Sequence, residues 1–152
     1  MIFAGGQMIQ DGIIFDPDVI GPWVCERAMN TRYTPGTAQA IGRVKAGQIV
    51  AGVLYQDFNG VNVFCHIAGE GRGWLDRRFL SVIFHYPFVQ LKARRITGVV
   101  SSVNERARRF DEHLGFELEA ILSDAHPEGD LCIYTMTAEK CRWLKELPYA
   151  NP

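Results

Sequence analysis

A glycine-rich segment with one arginine lies between a strand-like run and a helix-like run, at residues 67–74 (IAGEGRGW). Glycines let the backbone adopt unusual dihedral angles and approach a ligand closely, and the first turn of a following helix offers unpaired N–H groups to an anion. Arg72 adds a full positive charge. The segment therefore predicts an anion site, with an ordinary strand-to-helix turn as the alternative. Its spacing matches neither a Walker loop nor a dinucleotide-binding fingerprint.

Acid–base chemistry is available from three titratable residues, His66, Glu70 and Asp111. A histidine pKa suits a general base near neutral pH, although a strand histidine can equally be structural. Glu70 is a second candidate base, unless it is simply solvated. An exposed aspartate is ionised at neutral pH, so Asp111 can be a general acid only where desolvation raises its pKa. Tyr86 and Tyr134 are alternative acids, with core packing as the competing interpretation.

The segment that contains the aspartate has its charges reversed relative to a helix dipole. It reads NERARRFDEHLGF (104–116), with three arginines early and two carboxylates late. Each such charge costs roughly a few tenths of a kcal/mol when exposed, and an Arg108–Glu112 pair one turn apart offsets a similar amount. Ser102 or Asn104 can cap this helix, and Gly115 can end it. Its apolar stripe consists of Ala107, Phe110 and Leu114.

The elements before the glycine-rich segment are a helix and a meander. Asp16 and Pro17 mark a helix start, and Gly21 and Pro22 should divide this helix into two short pieces. Three strand-like runs follow at residues 38–46, 48–58 and 61–68, and the Asn-Gly pair at residues 59–60 is a hairpin signal. The pattern predicts three antiparallel strands.

The elements after the glycine-rich segment are helices and strands in turn, and the chain ends in a pair of strands and a short helix. Apolar residues spaced by three and four predict a helix over 74–91 that Pro87 kinks or ends. A strand over 94–102, the helix at 104–115 and two strands joined by a polar loop (DAHPEG, 124–129) follow. A short helix closes the chain at 138–147. We therefore expect an α+β fold with a mixed, mostly antiparallel sheet flanked by helices.

Composition excludes several classes of function. The chain has 152 residues and a formal net charge of −1, so no global basic field attracts nucleic acid or anionic lipid. Its four cysteines lack metal-ligand spacing and are expected to be reduced, buried thiols. Neither a signal peptide nor an apolar run of membrane-spanning length is seen. We expect one cytoplasmic domain over residues 1–152 without metal, nucleic-acid partner or membrane association.

The order of elements from about residue 38 to residue 147 resembles the GCN5-related N-acetyltransferase (GNAT) family. Three antiparallel strands, a glycine-bearing loop that opens a helix, a strand, a helix and two strands follow the family order. The helix is the most specific part, because Asn104, Ala107, Phe110 and Leu114-Gly115-Phe116 are similar to the family pattern N-x-x-A-x-x-L…LGF. The resemblance implies a GNAT-like acyltransferase fold with about six to seven strands.

The resemblance also implies a site for acetyl-CoA, the acetyl donor, in a V between strands 61–68 and 94–102. Pyrophosphate would meet the glycine loop, pantetheine amides would pair with the preceding strand, and a helix arginine would lie near the ribose phosphate. Such charge-assisted contacts would outweigh the reversed dipole. The residues implied are Ile67, Gly69, Gly71, Arg72, Gly73 and Trp74, with Asn104 and Arg109 on the helix.

Two positions depart from the family pattern. Ala68 stands where the loop usually has Gln or Arg, and Asp111 stands where many members have a tyrosine that protonates the CoA thiolate. Members similar to the ribosomal-protein N-terminal acetyltransferases also lack this tyrosine, and the chain resembles them more closely.

The implied activity is direct acetyl transfer to a primary amine of a small molecule or a protein N-terminus. Residues 17–34 and the polar loop would select the acceptor. A non-catalytic acyl-CoA-binding or protein-interaction module is the alternative, and a homodimer is compatible with either.

Overall fold

A seven-stranded mixed sheet forms the centre of the computed structural model, which describes residues 3–4, 7–8, 10–71 and 73–145. The sheet order is β3-β4-β5-β6-β7-β9-β8, and only β6 and β7 are parallel. The α+β fold class is confirmed. The strands are β3 (Gly12–Ile14), β4 (Ala38–Lys45), β5 (Gln48–Gln56), β6 (Asn62–Gly69), β7 (Arg95–Ser101), β8 (Glu117–His126) and β9 (Gly129–Thr137), besides a separate hairpin of β1 (Phe3–Ala4) and β2 (Gln7–Met8).

Three α-helices flank the sheet. They are α1 (Pro17–Val24), α2 (Arg77–His85) and α3 (Glu105–Leu114). Neighbouring residues of β5 belong to two different apolar clusters: Leu54 packs with Ile20 and Val24 of α1, whereas Val53 belongs to the larger cluster that contains α2 and Leu114 of α3. Because successive strand residues point to opposite faces, α1 covers one face, and α2 and α3 cover the other. No helix among the described residues is both long enough and apolar enough to cross a bilayer.

The first helix begins as predicted but is not broken. Asp16 accepts a hydrogen bond from the N–H of residue 18 at 3.0 Å, and Pro17 takes the first helical position. The expected interruption at Gly21 and Pro22 is wrong, since the helix passes through both and continues into a π-helical turn, Cys25–Met29. A proline here removes one backbone hydrogen bond, and burial of the helix against β4 and β5 offsets that loss.

The meander and the second helix follow the prediction closely. β4, β5 and β6 pair antiparallel in sequence order. The regular helix α2 ends just before Pro87, and a π-helical turn, Tyr86–Gln90, follows. All four cysteines are free and buried, as expected.

The last part of the chain differs from the prediction in two places. The predicted polar loop is wrong, because β8 continues to His126 and only two residues separate it from β9. Pairing with β9, interrupted by register shifts after Leu118 and Leu122, extends the strand across polar residues. The predicted closing helix is a 3₁₀ turn, Arg142–Lys145, and residues 146 and 147 of that prediction lie outside the described residues.

Candidate active site

A cleft forms where β6 and β7 separate. The two strands pair only from Asn62↔Arg95 to Phe64↔Thr97. Beyond these pairs β6 stays bonded to β5 and β7 stays bonded to β9, so residues 65–69 and 98–101 face each other across a gap. A cavity of about 1170 Å³ occupies this gap. The facing strand edges therefore present backbone N–H and C=O groups that are not paired with each other.

Most of the predicted site residues line this cavity. All three candidate catalytic residues do so, namely His66, Glu70 and Asp111. Of the predicted cofactor residues, those on the wall are Ile67, Gly69, Trp74, Asn104 and Arg109. Gly71 and Gly73 are not among the described residues that line the cavity, and Arg72 lies outside the described residues.

The glycine segment has the backbone freedom that its sequence predicts. Gly71 and Gly73 adopt φ values of +72° and +81°, in the left-handed region that favours glycine. The helix α2 begins later than the end of this segment, however. Its N-cap is Asp76, whose carboxylate accepts the N–H of Phe79 at 2.8 Å and pairs with Arg43 at 2.7 Å. The first turn of α2 therefore already faces one carboxylate.

Trp74 links the glycine segment to α3. Its indole, 9% exposed, lies so close to Gly69 that a Cβ there would be 2.2 Å from the ring. The ring centroid is 5.5 Å from that of Phe110 on α3 and 6.3 Å from that of Phe79 on α2. An aromatic cluster therefore fixes one wall of the cleft.

Asp111 lies at the narrow end of the cleft, on the face covered by α3. Its Oδ2 is 3.8 Å from the point where a Cβ of Gly98 would stand, and the backbone carbonyl of Cys65 is 3.9 Å from the same point. Burial raises the pKa of Asp111 to about 7, and the negative charge of Glu112 adds to this rise. Asp111 therefore lies in the desolvated setting that a carboxyl group needs to act as a general acid near neutral pH.

His66 approaches the cleft from the opposite face. It pairs with Leu54 of β5, which packs on α1, whereas Cys65 pairs with Tyr55, which packs on the α2 side. Burial lowers the pKa of His66, and the charge of Asp57 opposes this only in part. The imidazole is therefore mainly neutral at pH 7. The cleft thus has a neutral base on one face and a protonatable acid on the other.

Solved structures share this architecture. No protein-family model matches the sequence, and no curated protein matches it. Mutant forms of the spermidine/spermine N-acetyltransferase of Vibrio cholerae are 18% identical, with a TM-score of 0.60 over 70% of each chain. The Vibrio cholerae spermidine N-acetyltransferase in complex with CoA and spermine is 18% identical, with a TM-score of 0.59 over 69% of this chain and 68% of that one. A GNAT-family acetyltransferase from Bacillus anthracis is 16% identical, with a TM-score of 0.56 over 74% and 69%. The chain has the GNAT fold.

Glu70, which directly follows β6, has a cationic partner within this GNAT fold. Its carboxylate accepts a hydrogen bond from Arg27 Nε at 2.5 Å, and this guanidinium also lies 4.2 Å from the ring centroid of Trp23. The ion pair joins the π-helical turn after α1 to the glycine segment, and both residues line the cavity. A carboxylate paired in this way is less suited to be a base than His66 is.

The two alternative tyrosines are not in the cleft. Tyr134 is fully buried, accepts a hydrogen bond from Arg108 Nε at 3.1 Å and donates one to Glu112 at 2.9 Å. The predicted pair of Arg108 and Glu112 is therefore mediated by a tyrosine hydroxyl. Tyr86 packs edge-on against Tyr55 with ring centroids 4.9 Å apart. Neither tyrosine lines the cleft.

Several residues of the cleft wall are not marked by any motif in the sequence. The elements expected to select the acceptor bring Arg27, Met29, Asn30, His126 and Glu128 to the cavity. His126 Nδ1 accepts the N–H of Glu128 at 3.1 Å and lies 3.4 Å from Ser101 Oγ. The polar composition of residues 124–129 was the available signal, but it could not show that β8 extends as far as the histidine.

Proposed function

We propose that this chain is an acetyl-CoA-dependent N-acetyltransferase of the GNAT family, a single domain over residues 1–152 that acts in the cytoplasm. The observation that supports this most is the separation of β6 from β7 beyond Phe64, with His66 on one side of the gap and Asp111 on the other. A cleft with an unpaired strand edge and an acid–base pair suits transfer of an acyl group from a thioester to an amine.

The wall of the cleft fits the donor. Residues 65–69 of β6 offer unpaired peptide groups that suit the amides of a pantetheine arm, because an extended chain can add to a free strand edge. Asn104, Trp74 and Arg109 would hold the outer part of the donor, and the left-handed glycines 71 and 73 keep the adjacent backbone open to phosphate. When bound, acetyl-CoA supplies the activated acetyl group.

His66 and Asp111 would divide the proton transfers. His66, mainly neutral at pH 7, accepts a proton from the acceptor ammonium, so that the amine can form the new C–N bond. Asp111, about half protonated at pH 7, donates its proton to the sulfur as the C–S bond breaks. Once the C–N bond has formed, the nitrogen releases its second proton to solvent. The imidazolium also releases its proton and the Asp111 carboxylate takes one up, so one proton is released for each acetyl group transferred. Backbone N–H groups of β6 can stabilise the oxyanion between these steps.

The acceptor would enter between the turn Cys25–Met29 and the β8–β9 turn. The Vibrio cholerae enzyme in complex with spermine supports a small-molecule amine as acceptor. Glu128 on this side of the cleft can attract a cationic amine. A protein N-terminus, the acceptor of the ribosomal-protein acetyltransferases that the sequence resembles, is the second acceptor class, and a homodimer stays a prediction.

The proposal is tested by mixing the purified full chain with acetyl-CoA and a panel of amines and peptides. We expect thermal stabilisation by acetyl-CoA, release of free CoA thiol, and an acceptor heavier by one acetyl group in mass spectra. Asp111→Ala should slow release, whereas Glu117→Ala, which removes an exposed carboxylate of β8 that pairs with Lys140, should not. Binding of acetyl-CoA without transfer would favour the non-catalytic module, and absence of both would refute the donor site.

A further inference from the structure

We infer that Arg108, Tyr134 and Glu112 form a positioning network that sets the charge state of Asp111. This inference rests on the proposed function, because it concerns the acid of the same site. The three residues do not line the cleft with the reacting groups, so they would act through Asp111 and not on the substrate.

The network joins α3 to β9, the strand next to the edge of the sheet. The Tyr134 hydroxyl, on the fully buried side chain of β9, accepts from Arg108 Nε at 3.1 Å and donates to Glu112 Oε1 at 2.9 Å. Arg108 Nη1 also lies 3.4 Å from the carbonyl oxygen of Ser102, which precedes the helix. One buried hydroxyl therefore fixes a cation and an anion that stand one helical turn apart.

The position of this network matters because Asp111 is the immediate neighbour of Glu112. The Glu112 carboxylate favours the protonated form of Asp111, and this contributes to its raised pKa after burial. Arg108, held by the same hydroxyl, partly neutralises Glu112 and so limits its effect. Arg108 and Glu112 therefore act on the charge state of Asp111 with opposite signs, and the Tyr134 hydroxyl fixes the distance between them.

The other groups around Asp111 are few. From β6 the nearest titratable group is the Cys65 thiol, whose pKa burial and the charge of Asp111 raise, so it stays neutral. The near part of β7 is Gly98, which carries no side chain. Other charged or titratable residues of α3 that line the cleft are Arg106, Arg109 and His113. Among the described residues, Glu112 is therefore the anion best placed to act on Asp111.

The same network accounts for one oppositely charged pair of the reversed pattern of α3, Arg108 and Glu112. An arginine in the first half and a carboxylate in the second half of a helix oppose its dipole. Here the buried Tyr134 hydroxyl accepts a hydrogen bond from Arg108 and donates one to Glu112, and these two bonds offset that cost. A purely structural network would account for stability, but it would not move the charge state of Asp111 in opposite directions when its two charges are removed separately.

The test compares Glu112→Gln with Arg108→Gln in the full chain. The alkaline limb of the kcat–pH profile should move to lower pH in Glu112→Gln and to higher pH in Arg108→Gln. We expect each shift to be on the order of half a pH unit, which is about threefold in the protonated fraction at pH 8. In a Tyr134→Phe background the shift caused by Glu112→Gln should be smaller, because the hydroxyl that holds Glu112 in place is absent.

Glu117→Gln is the matched control, since it removes one exposed carboxylate that pairs with Lys140 on the sheet surface. It should leave the limb unmoved. Asp111 is also followed directly by NMR titration of its ¹³C-labelled carboxyl in each variant, with chemical denaturation as a check of folding. If native protein transfers no acetyl group, the proposed function fails while the NMR titration still tests the network. Shifts of the Asp111 titration in the same direction in the two variants, or no shift in either, would overturn the inference.

Discussion

Replacing Asp111 with asparagine should stabilise the protein at alkaline pH while it impairs turnover. Below the ordinary aspartate value of 3.8 the carboxyl is protonated in the folded and unfolded states alike. Between that value and about 7 only the unfolded state ionises, so this residue lowers the stability of the native protein as pH rises. Above about 7 both states are ionised and the loss is complete.

The magnitude follows from the difference between these two values. About three pH units separate the folded and unfolded pKa values of Asp111, which corresponds to about 4 kcal/mol of unfolding free energy at full ionisation. From pH 5 to pH 8 the ionisation of Asp111 lowers the unfolding free energy of the native protein by about 2–3 kcal/mol. Asparagine carries no such charge. The stability of Asp111→Asn minus that of native protein should therefore increase by this amount from pH 5 to pH 8.

Chemical denaturation of both proteins at the two pH values measures this increase. Comparing the difference at two pH values removes any pH-independent effect of the amide, such as an unsatisfied hydrogen bond. Asp124→Asn, in an exposed part of β8, is the matched control and should give no comparable increase. A difference for Asp111→Asn that is the same at pH 5 and pH 8 would show that this carboxyl is not desolvated, and the proposed acid would then be wrong.

Three further substitutions test other parts of the site. His66→Gln should lower kcat by about 10²–10⁴-fold and remove the acidic limb of the pH profile. An unchanged acidic limb in this variant would contradict the role of His66 as the base. Gly69→Ala should destabilise the chain by about 1–3 kcal/mol and weaken acetyl-CoA binding, because the methyl group would displace Trp74; unchanged denaturation would exclude that clash. Asn104→Ala should cost about 1 kcal/mol through loss of the cap on the Ala107 N–H, and Asn104→Asp should retain it.

Local signals account for the parts of the fold that the sequence predicted well. On α3, the Asn104 cap accepts the N–H of Ala107 at 3.2 Å, and Gly115 ends the helix with φ of +111°. Each depends on residues close in sequence, as does the hairpin signal between β5 and β6. The resemblance to an acyltransferase family supplied the cleft between β6 and β7, which no local pattern specifies.

Features that depend on distant pairing were not accessible in this way. The network around Tyr134 joins residues 22 and 26 positions apart, and nothing in either segment marks the partner. Burial of Asp111 depends on the approach of β6 and on Gly98, so its raised pKa could be stated only as a condition. The extension of β8 to His126 depends on register shifts against β9, because its own residues read as a polar loop.

The central claim, that the separated edges of β6 and β7 hold acetyl-CoA with its sulfur beside Asp111, is tested most directly by a crystal structure of the full chain with CoA. We predict the pantetheine arm along residues 65–69, with the sulfur within hydrogen-bonding distance of the Asp111 carboxyl and His66 across the cleft. CoA bound elsewhere, or in this cleft with its sulfur remote from Asp111, would contradict the account.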